Sequence, residues 1–285
     1  MQLLENKRFV ITGGSQGIGF AVAEKCVLEG AEVILVARNE RDLKNSINKL
    51  SVHSTKNHQY YLLDVGNLNA VKEFARWIKN QNLEIDGLVN CAGVYGPIGS
   101  TTTIELDEFT KAISINFLGT VYMCSLIAPL LNKQSRKKIV NYSGGGAATP
   151  FPNYSAYATS KISIVRFTEN LSLELSTENI DINCVAPGFV ITRLHQQTLL
   201  AGSEIVGDVF FESTKKQIET GGVPAEKAAE LTCFLLSAAS DGITGKFISA
   251  PWDPWQTLEF QNLLRQDKDI ATLRRIDNKT FFKKI

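Results

Sequence analysis

A tyrosine and a lysine in the middle of the chain have the types and spacing that suit proton transfer. Tyr157 and Lys161 stand four residues apart, and on a helix this spacing puts both side chains on one face. A phenol titrates near pH ~10, but an adjacent ammonium favours the phenolate, so we expect a lowered pKa for Tyr157. Tyr157 can then protonate the oxygen of a ketone or deprotonate an alcohol. Tyr154 has no such partner, because Ala158 stands four residues after it.

A glycine-rich turn near the start of the chain is the second group with recognisable chemistry. Residues 12–19 follow a β-branched apolar run at 8–12 and lead into apolar residues at helical spacing. Glycines let the backbone turn sharply and approach a pyrophosphate closely, and the N-terminus of the next helix offers free N–H groups to phosphates. A strand, a glycine turn and a helix in this order predict a dinucleotide site.

The end of the second predicted strand distinguishes two kinds of dinucleotide. A carboxylate there would bind a ribose 2′-hydroxyl and repel a 2′-phosphate. Residues 36–39 contain no carboxylate and do contain Arg38, whose guanidinium suits a phosphate. The sequence therefore favours NADP(H), with Ser15 and Arg38 near the 2′-phosphate. The alternative is that Arg38 is a solvated loop residue.

Strands and helices alternate along the chain and must position these groups. The sequence predicts strands at 8–12, 32–37, 60–63, 87–90, 137–142, 180–185 and 247–249. It predicts helices at 17–28, 40–50, 70–79, two within 106–131, 156–175 and 225–236. This order predicts a Rossmann-type α/β fold, a doubly wound parallel sheet of about seven strands with helices on both faces. We expect one domain at 1–250 and a tail at 251–285, packed on that domain or on a partner subunit.

The glycine spacing GxxxGxG, with Tyr157 and Lys161 downstream, resembles the short-chain dehydrogenase/reductase family in its single-domain branch. The resemblance covers about residues 5 to 250. It implies hydride transfer between a nicotinamide and a carbonyl or secondary alcohol, with Tyr157 as acid/base. Gln16 occupies a position at which some NADP-using relatives carry a second basic residue.

The resemblance also assigns cofactor contacts. Asp64 and Val65 resemble the adenine contact, and Asn90-Cys91-Ala92-Gly93 resembles the NNAG turn, with Cys91 in place of the second asparagine. The stretch 187–192 resembles the PGxxxT segment that holds the carboxamide. The complete predicted cofactor set is Gly13, Ser15, Gln16, Gly17, Ile18, Gly19, Arg38, Asp64, Val65, Asn90, Ala92, Gly93, Tyr157, Lys161, Pro187, Gly188, Val190 (through its backbone) and Thr192 (through its side chain).

Two further catalytic positions follow from the resemblance. Asn116 matches an asparagine that shapes a helix so that a water can link Lys161 to solvent, and an asparagine among apolar residues is costly unless it is hydrogen-bonded. The family's serine, thirteen residues before the tyrosine, would fall on Gly144, and Ser143 lies one residue earlier. We expect Ser143 to hydrogen-bond the substrate oxygen. The alternative is a site without the serine, in which the Tyr–Lys pair works more slowly.

The C-terminal segment departs from the family pattern. One interpretation is that Trp252 and Trp255 pack against the fold and anchor the tail. The other is that the tail reaches a cleft and offers Arg274 or Arg275 to an anionic substrate, a role that Arg193 and His195 could share.

Several functions fit these residues. An NADP(H)-dependent carbonyl reductase or alcohol dehydrogenase is the leading hypothesis, with a sugar derivative as one candidate substrate. Phe189, Phe210 and Phe211 would instead fit an apolar one. The alternatives are 3-oxoacyl-carrier-protein reduction and a scaffold that binds NADPH without turnover.

Composition excludes other classes. The 285 residues carry a formal net charge of +1, so we expect neither a nucleic acid nor a membrane as partner. The first residues show no secretory signal, and five scattered cysteines without a CxxC pair predict neither a metal site nor disulfides, hence a cytoplasmic location. The family resemblance implies a homodimer or homotetramer, formed through the long helices near 116–131 and 156–175.

Overall fold

Seven parallel strands form a single sheet in the order β3-β2-β1-β4-β5-β6-β7. They are β1 (Arg8–Thr12), β2 (Glu32–Ala37), β3 (Gln59–Leu62), β4 (Gly87–Asn90), β5 (Lys137–Tyr142), β6 (Ile180–Ala186) and β7 (Phe247–Ser249). The structure is a computed structural model that describes residues 2–276; Met1 and the predicted end of the tail, 277–285, lie outside the described residues. The predicted doubly wound α/β fold is confirmed.

Helices cover both faces of the sheet. They are α1 (Gly17–Leu28), α2 (Glu40–Leu50), α3 (Leu68–Asn80), α4 (Leu106–Ile113), α5 (Gly119–Ile127), α6 (Ser155–Glu174), α7 (Arg193–Ala201), α8 (Ser203–Val206), α9 (Asp208–Glu219), α10 (Ala225–Leu236) and α11 (Leu258–Gln266). Alternate strand residues face opposite sides, so Ile11 and Val10 enter different cores. Ile11 packs with α1 and α10, whereas Val10 packs with α3 and α5.

The strand order places the predicted dinucleotide groups together. The strand order reverses at β1, because β2 and β3 follow on one side of it and β4 to β7 on the other. Thr12, the last residue of β1, is in register with both Val36 and Asn90. Because the carboxyl ends of these strands meet at one edge, the loops that follow them form the crevice at which ligands bind in such sheets.

Residues 193–222, for which the sequence predicted neither a strand nor a helix, fold into α7, α8 and α9. Gly202 and Gly207 stand between these helices with φ of 78° and 88°, values that favour glycine. The glycines cut the segment into pieces too short to show a clear helical period. A further helix, α11, lies in the predicted tail.

One continuous helical stretch is apolar enough to attract a membrane interpretation. Leu106–Leu130, which joins α4 and α5 through a π-helical segment, has the length and composition to cross a membrane. Within the described residues it is the one stretch that passes this test, and Met123, Cys124 and Ile127 are fully buried in the core beside α3. Its apolar character is accounted for by packing against the sheet.

The described part of the tail packs on the domain. Trp255 is buried against Phe234, and its indole N–H donates to the Ala250 carbonyl at 3.2 Å. Trp252 is 74% exposed, so the predicted anchoring holds for one of the two tryptophans. Further on, the Ala271 carbonyl accepts a hydrogen bond from the Phe247 amide at 2.7 Å. The tail thus covers part of the outer edge of β7, which would otherwise be open to pairing.

Arg274 does not reach the predicted substrate cleft. Its guanidinium pairs with Glu169 on α6 at 3.1 Å and with Asp269 at 3.1 Å. Arg166 pairs with the same Glu169 carboxylate and donates to the Leu273 carbonyl at 2.9 Å. The interpretation in which Arg274 serves an anionic substrate is therefore not supported, because its charge is already used to hold the tail on α6.

A buried lysine should control the attachment of the tail. The Lys246 ammonium donates to the carbonyls of Asp267 (2.6 Å) and Ile270 (3.0 Å). Replacing Lys246 with Met removes both charged hydrogen bonds, and we expect the free energy of unfolding to fall by about 2 kcal/mol. Amide exchange at Phe247 should become faster. Denaturant unfolding and hydrogen exchange measure these effects, with exposed Lys268→Met as control; unchanged exchange at Phe247 would contradict this account of the tail.

Candidate active site

The glycine turn lies between β1 and α1, close to the loop that follows β4. Gly13 has φ of 67°, and a Cβ there would lie 3.0 Å from the Ala92 main chain. The Thr12 hydroxyl accepts hydrogen bonds from the Cys91 and Ala92 amides at 3.0 and 3.2 Å, which ties the two loops together. A Cβ at Gly19 would overlap the Gly13 carbonyl. These glycines therefore permit the close approach of helix, turn and strand that a dinucleotide site requires.

A cleft of about 290 Å³ opens above these loops. Of the predicted cofactor residues, the cleft is lined by Gly13, Ser15, Gln16, Arg38, Asp64, Val65, Ala92 and Gly93. The N-terminus of α1 faces this region without a side-chain cap on its amides, which leaves N–H groups for an anion. The turn, the free amides and the cleft fit a dinucleotide.

Sequence reasoning missed part of the cleft. Ala37, Asn39, Asp42, Leu63, Val94, Ile115 and Arg193 also line it. Asn39 and Asp42 lie beside Arg38 at the start of α2, and could have been found from their nearness to the end of β2. Arg193 is the first residue of α7 and directly follows the 187–192 segment that the family resemblance assigns to the cofactor, so that adjacency could have identified it.

Asn90, the last residue of β4, does not line the cleft. Its amide nitrogen donates to the Asn141 side-chain oxygen at 2.9 Å, and Asn141 donates in turn to the Thr168 hydroxyl at 2.9 Å. All three side chains are buried. This network links β4, β5 and α6, so Asn90 supports the site from beneath. Its predicted direct contact with a cofactor is not seen in the lining of the cleft.

Tyr157 and Lys161 lie on α6, on one face as their spacing predicts, and neither of these two predicted cofactor residues lines the cleft itself. The tyrosine is 8% exposed and the lysine 4%. The Lys161 ammonium lies 5.5 Å from the centre of the Tyr157 ring and donates to the Tyr142 carbonyl at 3.0 Å. A Cβ at Gly93 would lie 3.4 Å from the same ammonium. The ammonium therefore borders both the phenol and the loop that follows β4.

Burial sets the ionisation of both groups. It raises the pKa of Tyr157 well above the ordinary value of a phenol, and it lowers the pKa of Lys161. The lowering of the Tyr157 pKa expected from Lys161 does not appear in this arrangement, in which burial is the main cause of the shift and Cys91 adds to it. A raised pKa favours the protonated phenol, and that form suits a proton donor. Cys91 lies near the pair as a neutral thiol, since burial raises its pKa to about 12.

Asn116 lies in the π-helical segment Ser114–Leu118, between α4 and α5. Its side chain accepts from the Val94 amide and donates to the Val94 carbonyl, both at 2.8 Å. It also donates to the Ser160 hydroxyl at 2.9 Å, next to Lys161. Local π-helical turns are frequent at functional sites. Asn116 thus fastens the loop after β4 to the helix that carries Tyr157 and Lys161.

Ser143 does not lie where the predicted role requires it. Its buried hydroxyl donates to the Lys161 main-chain carbonyl at 3.0 Å. Gly144 is the residue next to the phenol, because a Cβ added at Gly144 would overlap the Tyr157 hydroxyl. This arrangement does not support the predicted role of Ser143, because its hydroxyl is used to hold α6 and Gly144 is the residue beside the phenol.

The segment after β6 leads from the cleft to α7. A Cβ at Gly17 would lie 3.5 Å from the Thr192 methyl, so this segment rests on the glycine turn. Thr192 caps α7 together with His195. Pro187 and Gly188 begin the segment, and a Cβ at Gly188 would lie 2.8 Å from the Pro251 ring. Val190 is buried. None of these four lines the cleft that the described residues form.

An aromatic cluster covers Tyr157. It consists of Tyr95, Tyr154, Tyr157 and Val206, with Ile98, Phe151, Leu194, Ala201, Phe210 and Phe211 packed around them. The Tyr95 ring meets the Tyr157 ring edge to face, with centroids 4.9 Å apart. The Tyr154 hydroxyl donates to the Thr198 hydroxyl of α7 at 2.8 Å. On this side, Tyr157 is surrounded by apolar and aromatic side chains.

His195 lies at the edge of this cluster. Its ring is 3.9 Å from the Phe189 ring and 6.1 Å from the Tyr95 ring, measured between centroids. Burial lowers the pKa of His195 to about 4, so the ring is neutral at pH 7. The prediction that His195 could bind an anionic substrate is not supported, because a neutral imidazole carries no positive charge.

No group of three or more potential metal-ligating side chains occurs within residues 2–276. A dinucleotide cleft at the carboxyl edge of a doubly wound sheet, with a buried Tyr–Lys pair and an asparagine beside it, defines a nicotinamide-dependent oxidoreductase of the Rossmann class.

Comparison with known proteins identifies the family. The short chain dehydrogenase profile matches residues 7–201. The 3-oxoacyl-[acyl-carrier-protein] reductase of Chlamydia trachomatis is 30% identical, over 87% of this chain and 96% of its own. The 7alpha-hydroxysteroid dehydrogenase of Bacteroides fragilis is 28% identical, over 87% and 94%. The structure of NAD+-bound xylitol dehydrogenase matches with a TM-score of 0.79 and 24% identity, over 86% of this chain and 98% of that one. The chain belongs to the short-chain dehydrogenase/reductase family.

The placement of Ser143 and Gly144 can be tested by substitution. Gly144→Ala places a methyl group against the Tyr157 hydroxyl and should displace it, and we expect kcat of the oxidoreductase reaction to fall by about a hundredfold. Ser143→Ala loses one buried hydrogen bond and should cost about 1 kcal/mol of stability, with kcat within about threefold of the wild type.

Gly145→Ala serves as the control for chain stiffening in this loop, since its Cβ would lie at an ordinary 3.6 Å from Phe151. Steady-state kinetics and thermal unfolding give both quantities. A large loss of kcat in Ser143→Ala with normal stability would return the catalytic role to Ser143.

Proposed function

We propose that the protein is an NADP(H)-dependent reductase of a carbonyl compound with an apolar substituent. The observation that carries the proposal is the buried Tyr157 on the same helix face as Lys161, whose ammonium borders Gly93 in the lining of the dinucleotide cleft. When bound, the nicotinamide supplies the hydride that the substrate carbon receives. Tyr157 supplies the proton that the substrate oxygen receives, and its hydroxyl holds that oxygen by a hydrogen bond beforehand.

The remaining residues of the site orient Tyr157 and help to return a proton to it after each turnover. Lys161 is the ionisable group nearest to the phenol on α6, and its ammonium is held by the Tyr142 carbonyl. After Tyr157 has given up its proton, the ammonium stabilises the phenolate until a proton returns from solvent. The family resemblance implies that this proton passes by a water near Asn116. In this protein the Asn116 main-chain carbonyl accepts a hydrogen bond from the Thr120 hydroxyl at 2.8 Å. That carbonyl keeps a second lone pair for a water.

The preference for NADP(H) rests on Arg38. The guanidinium is exposed at the end of β2, lines the cleft beside Ser15, and forms no hydrogen bond or ion pair with any described residue. An unpaired guanidinium at this place suits a 2′-phosphate. Asp42 also lines the cleft, but it stands four residues after Arg38 on α2 and not at the end of the strand.

An apolar substrate is favoured by the aromatic cluster. Phe210 and Phe211 of α9 and Phe151 pack around the tyrosines that border the phenol. The Tyr157 hydroxyl fills the space that a side chain at position 144 would occupy, so the glycine lets the phenol lie against the loop after β5. The Bacteroides relative is a hydroxysteroid dehydrogenase, a precedent for an apolar ring system within the family. For a sugar derivative, this side of the site offers few charged or amide groups.

Two other functions each have one supporting observation. The chlamydial relative is a 3-oxoacyl-[acyl-carrier-protein] reductase, and a 3-oxoacyl chain is also an apolar ketone. The glycine in place of the serine favours a scaffold that binds NADPH without turnover, since one hydrogen-bond donor to the substrate oxygen is missing. A panel of steroid ketones, 3-oxoacyl thioesters and oxidised sugars, followed by NADPH consumption, separates these possibilities.

Tyr157→Phe tests the central step of the proposal. Removal of the phenolic hydroxyl removes the proton donor, and we expect kcat to fall by 10²–10⁴-fold with the best substrate of the panel. The affinity for NADPH, measured by nicotinamide fluorescence, should stay within about twofold. Tyr60→Phe is the matched control, because its hydroxyl donates to Glu40 and the residue does not line the cleft. Residual turnover near the wild-type rate would exclude Tyr157 as the acid.

Arg38→Ala tests the choice of dinucleotide. Loss of a charged contact to a 2′-phosphate should raise the Kd for NADPH by about tenfold or more and leave that for NADH nearly unchanged. Exposed Arg41→Ala, on the next turn of α2 and outside the lining of the cleft, is the control. Tighter binding of NADH than of NADPH by the unaltered protein would overturn the NADP(H) assignment and leave the role of Tyr157 standing.

A further inference from the structure

Arg193 lines the dinucleotide cleft together with Arg38, from a different element of the fold. It is the first residue of α7, and it lines the same cavity as Gly13, Ser15, Gln16 and Arg38. Thr192, which precedes it, rests on Gly17, with 3.5 Å between the Thr192 methyl and a Cβ built on that glycine. The N-terminus of α7 is thereby held next to the turn that predicts phosphate binding.

The Arg193 side chain is exposed and has no partner within residues 2–276, where it forms neither a hydrogen bond nor an ion pair. Two acidic residues, Asp42 and Asp64, line the same cleft. Neither carboxylate pairs with Arg193 or Arg38; the Asp64 carboxylate accepts from the Gly66 amide at 3.0 Å. Two unpaired guanidinium groups thus face one narrow cavity, and such groups are suited to bind a phosphate between them.

A second cavity shows that one face of α7 is turned toward the cofactor side. This neighbouring space, of about 200 Å³, is lined by Gln197 together with Arg38, Val94 and Ile115. The last three also line the dinucleotide cleft. Gln197 stands one helical turn after Arg193, so both side chains project from the same face of α7.

The other face of α7 packs on the catalytic side. Leu194 and Ala201 belong to the aromatic cluster, and Thr198 accepts the hydrogen bond of the Tyr154 hydroxyl. Gly202 and Gly207, at either end of α8, have no atom within 4 Å of a built Cβ. The segment of α7 to α9 is therefore attached to the cofactor cleft by one face and to the cover of Tyr157 by the other.

We propose that Arg193 binds a phosphate of the dinucleotide and thereby holds α7 over the active site. The inference rests on the proposed function, since it takes a nicotinamide dinucleotide as the ligand. It replaces the sequence-based idea that Arg193 serves an anionic substrate. Both the 2′-phosphate and the pyrophosphate offer the required chemistry. The test must therefore distinguish them.

The test compares wild type, Arg193→Ala and the exposed control Arg76→Ala, which lies on α3 away from the cleft. Binding of NADPH and NADH is titrated by nicotinamide fluorescence, and 2′,5′-ADP is used as a competitor that carries a 2′-phosphate without a pyrophosphate. We expect Arg193→Ala to weaken NADPH by about tenfold or more, which is the effect of one charged contact. Arg76→Ala should bind as wild type does.

The pattern across ligands identifies the phosphate. Weaker binding of NADPH and 2′,5′-ADP with unchanged NADH assigns Arg193 to the 2′-phosphate, and the effects of Arg38→Ala and Arg193→Ala should then be non-additive. Equal weakening of NADPH and NADH with unchanged 2′,5′-ADP assigns it to the pyrophosphate. Unchanged affinity for all three ligands, in a variant that unfolds at the wild-type temperature, would overturn the inference. Failure of the wild type itself to bind either dinucleotide would overturn the proposed function as well.

A second readout follows the position of α7. If Arg193 links the dinucleotide to this helix, NADPH should slow amide exchange in residues 193–201 of the wild type. The same protection should be lost in Arg193→Ala at saturating NADPH, while protection of the turn at 13–19 persists. Equal protection of α7 in both proteins would show that the dinucleotide holds the helix without the arginine.

Discussion

Burial of the Lys161 ammonium is the constraint on which the rest of the site depends. A charge that is 4% exposed is costly unless its environment provides acceptors. The Tyr142 carbonyl at the end of β5 provides one, and Gly93 leaves the room that the ammonium needs. Asn116 holds the adjoining loop in place through both polar groups of Val94. The carboxyl ends of β4 and β5, the π-helical segment and α6 must therefore assemble together before the lysine can be accommodated.

The same constraint explains how the chemistry could be predicted from the sequence. Tyr157 and Lys161 belong to one helix, and the glycine turn belongs to one strand–turn–helix unit, so short-range spacing defines both. The strand order alone brings the Tyr–Lys pair and the glycine turn together. The alternation of strands and helices dictates a parallel sheet, and the loops after its strands lie at one edge. The strands and helices of the sheet were accordingly placed to within about two residues, and the family was identified from these motifs.

The features that sequence reasoning missed depend on contacts between distant segments. The direction of the Ser143 side chain is decided by the Lys161 carbonyl on another element, and a single-residue shift of the serine has no local signal to resolve it. The pKa of Tyr157 is raised by burial in a cluster to which α7 and α9 contribute side chains, and these helices were hidden by the breaks at Gly202 and Gly207. The tail pairs with β7 through the main chain, at Phe247 and Ala271, and main-chain pairing carries little residue preference.

Because position 144 is a glycine, α7 and α9 have a larger part in positioning the substrate of the proposed reaction. A serine and a tyrosine can hold a substrate oxygen by two hydroxyl groups. With glycine at position 144, Tyr157 provides this hydrogen bond in the proposed function without a serine beside it. The orientation of the substrate must then come from the apolar surfaces around it, which Leu194 and Phe210 supply from α7 and α9. Because α7 also borders the dinucleotide cleft through Arg193, its position connects the two ligands. A site that lacks one hydrogen bond to the substrate therefore depends on shape, and that shape is complete when α7 is in place.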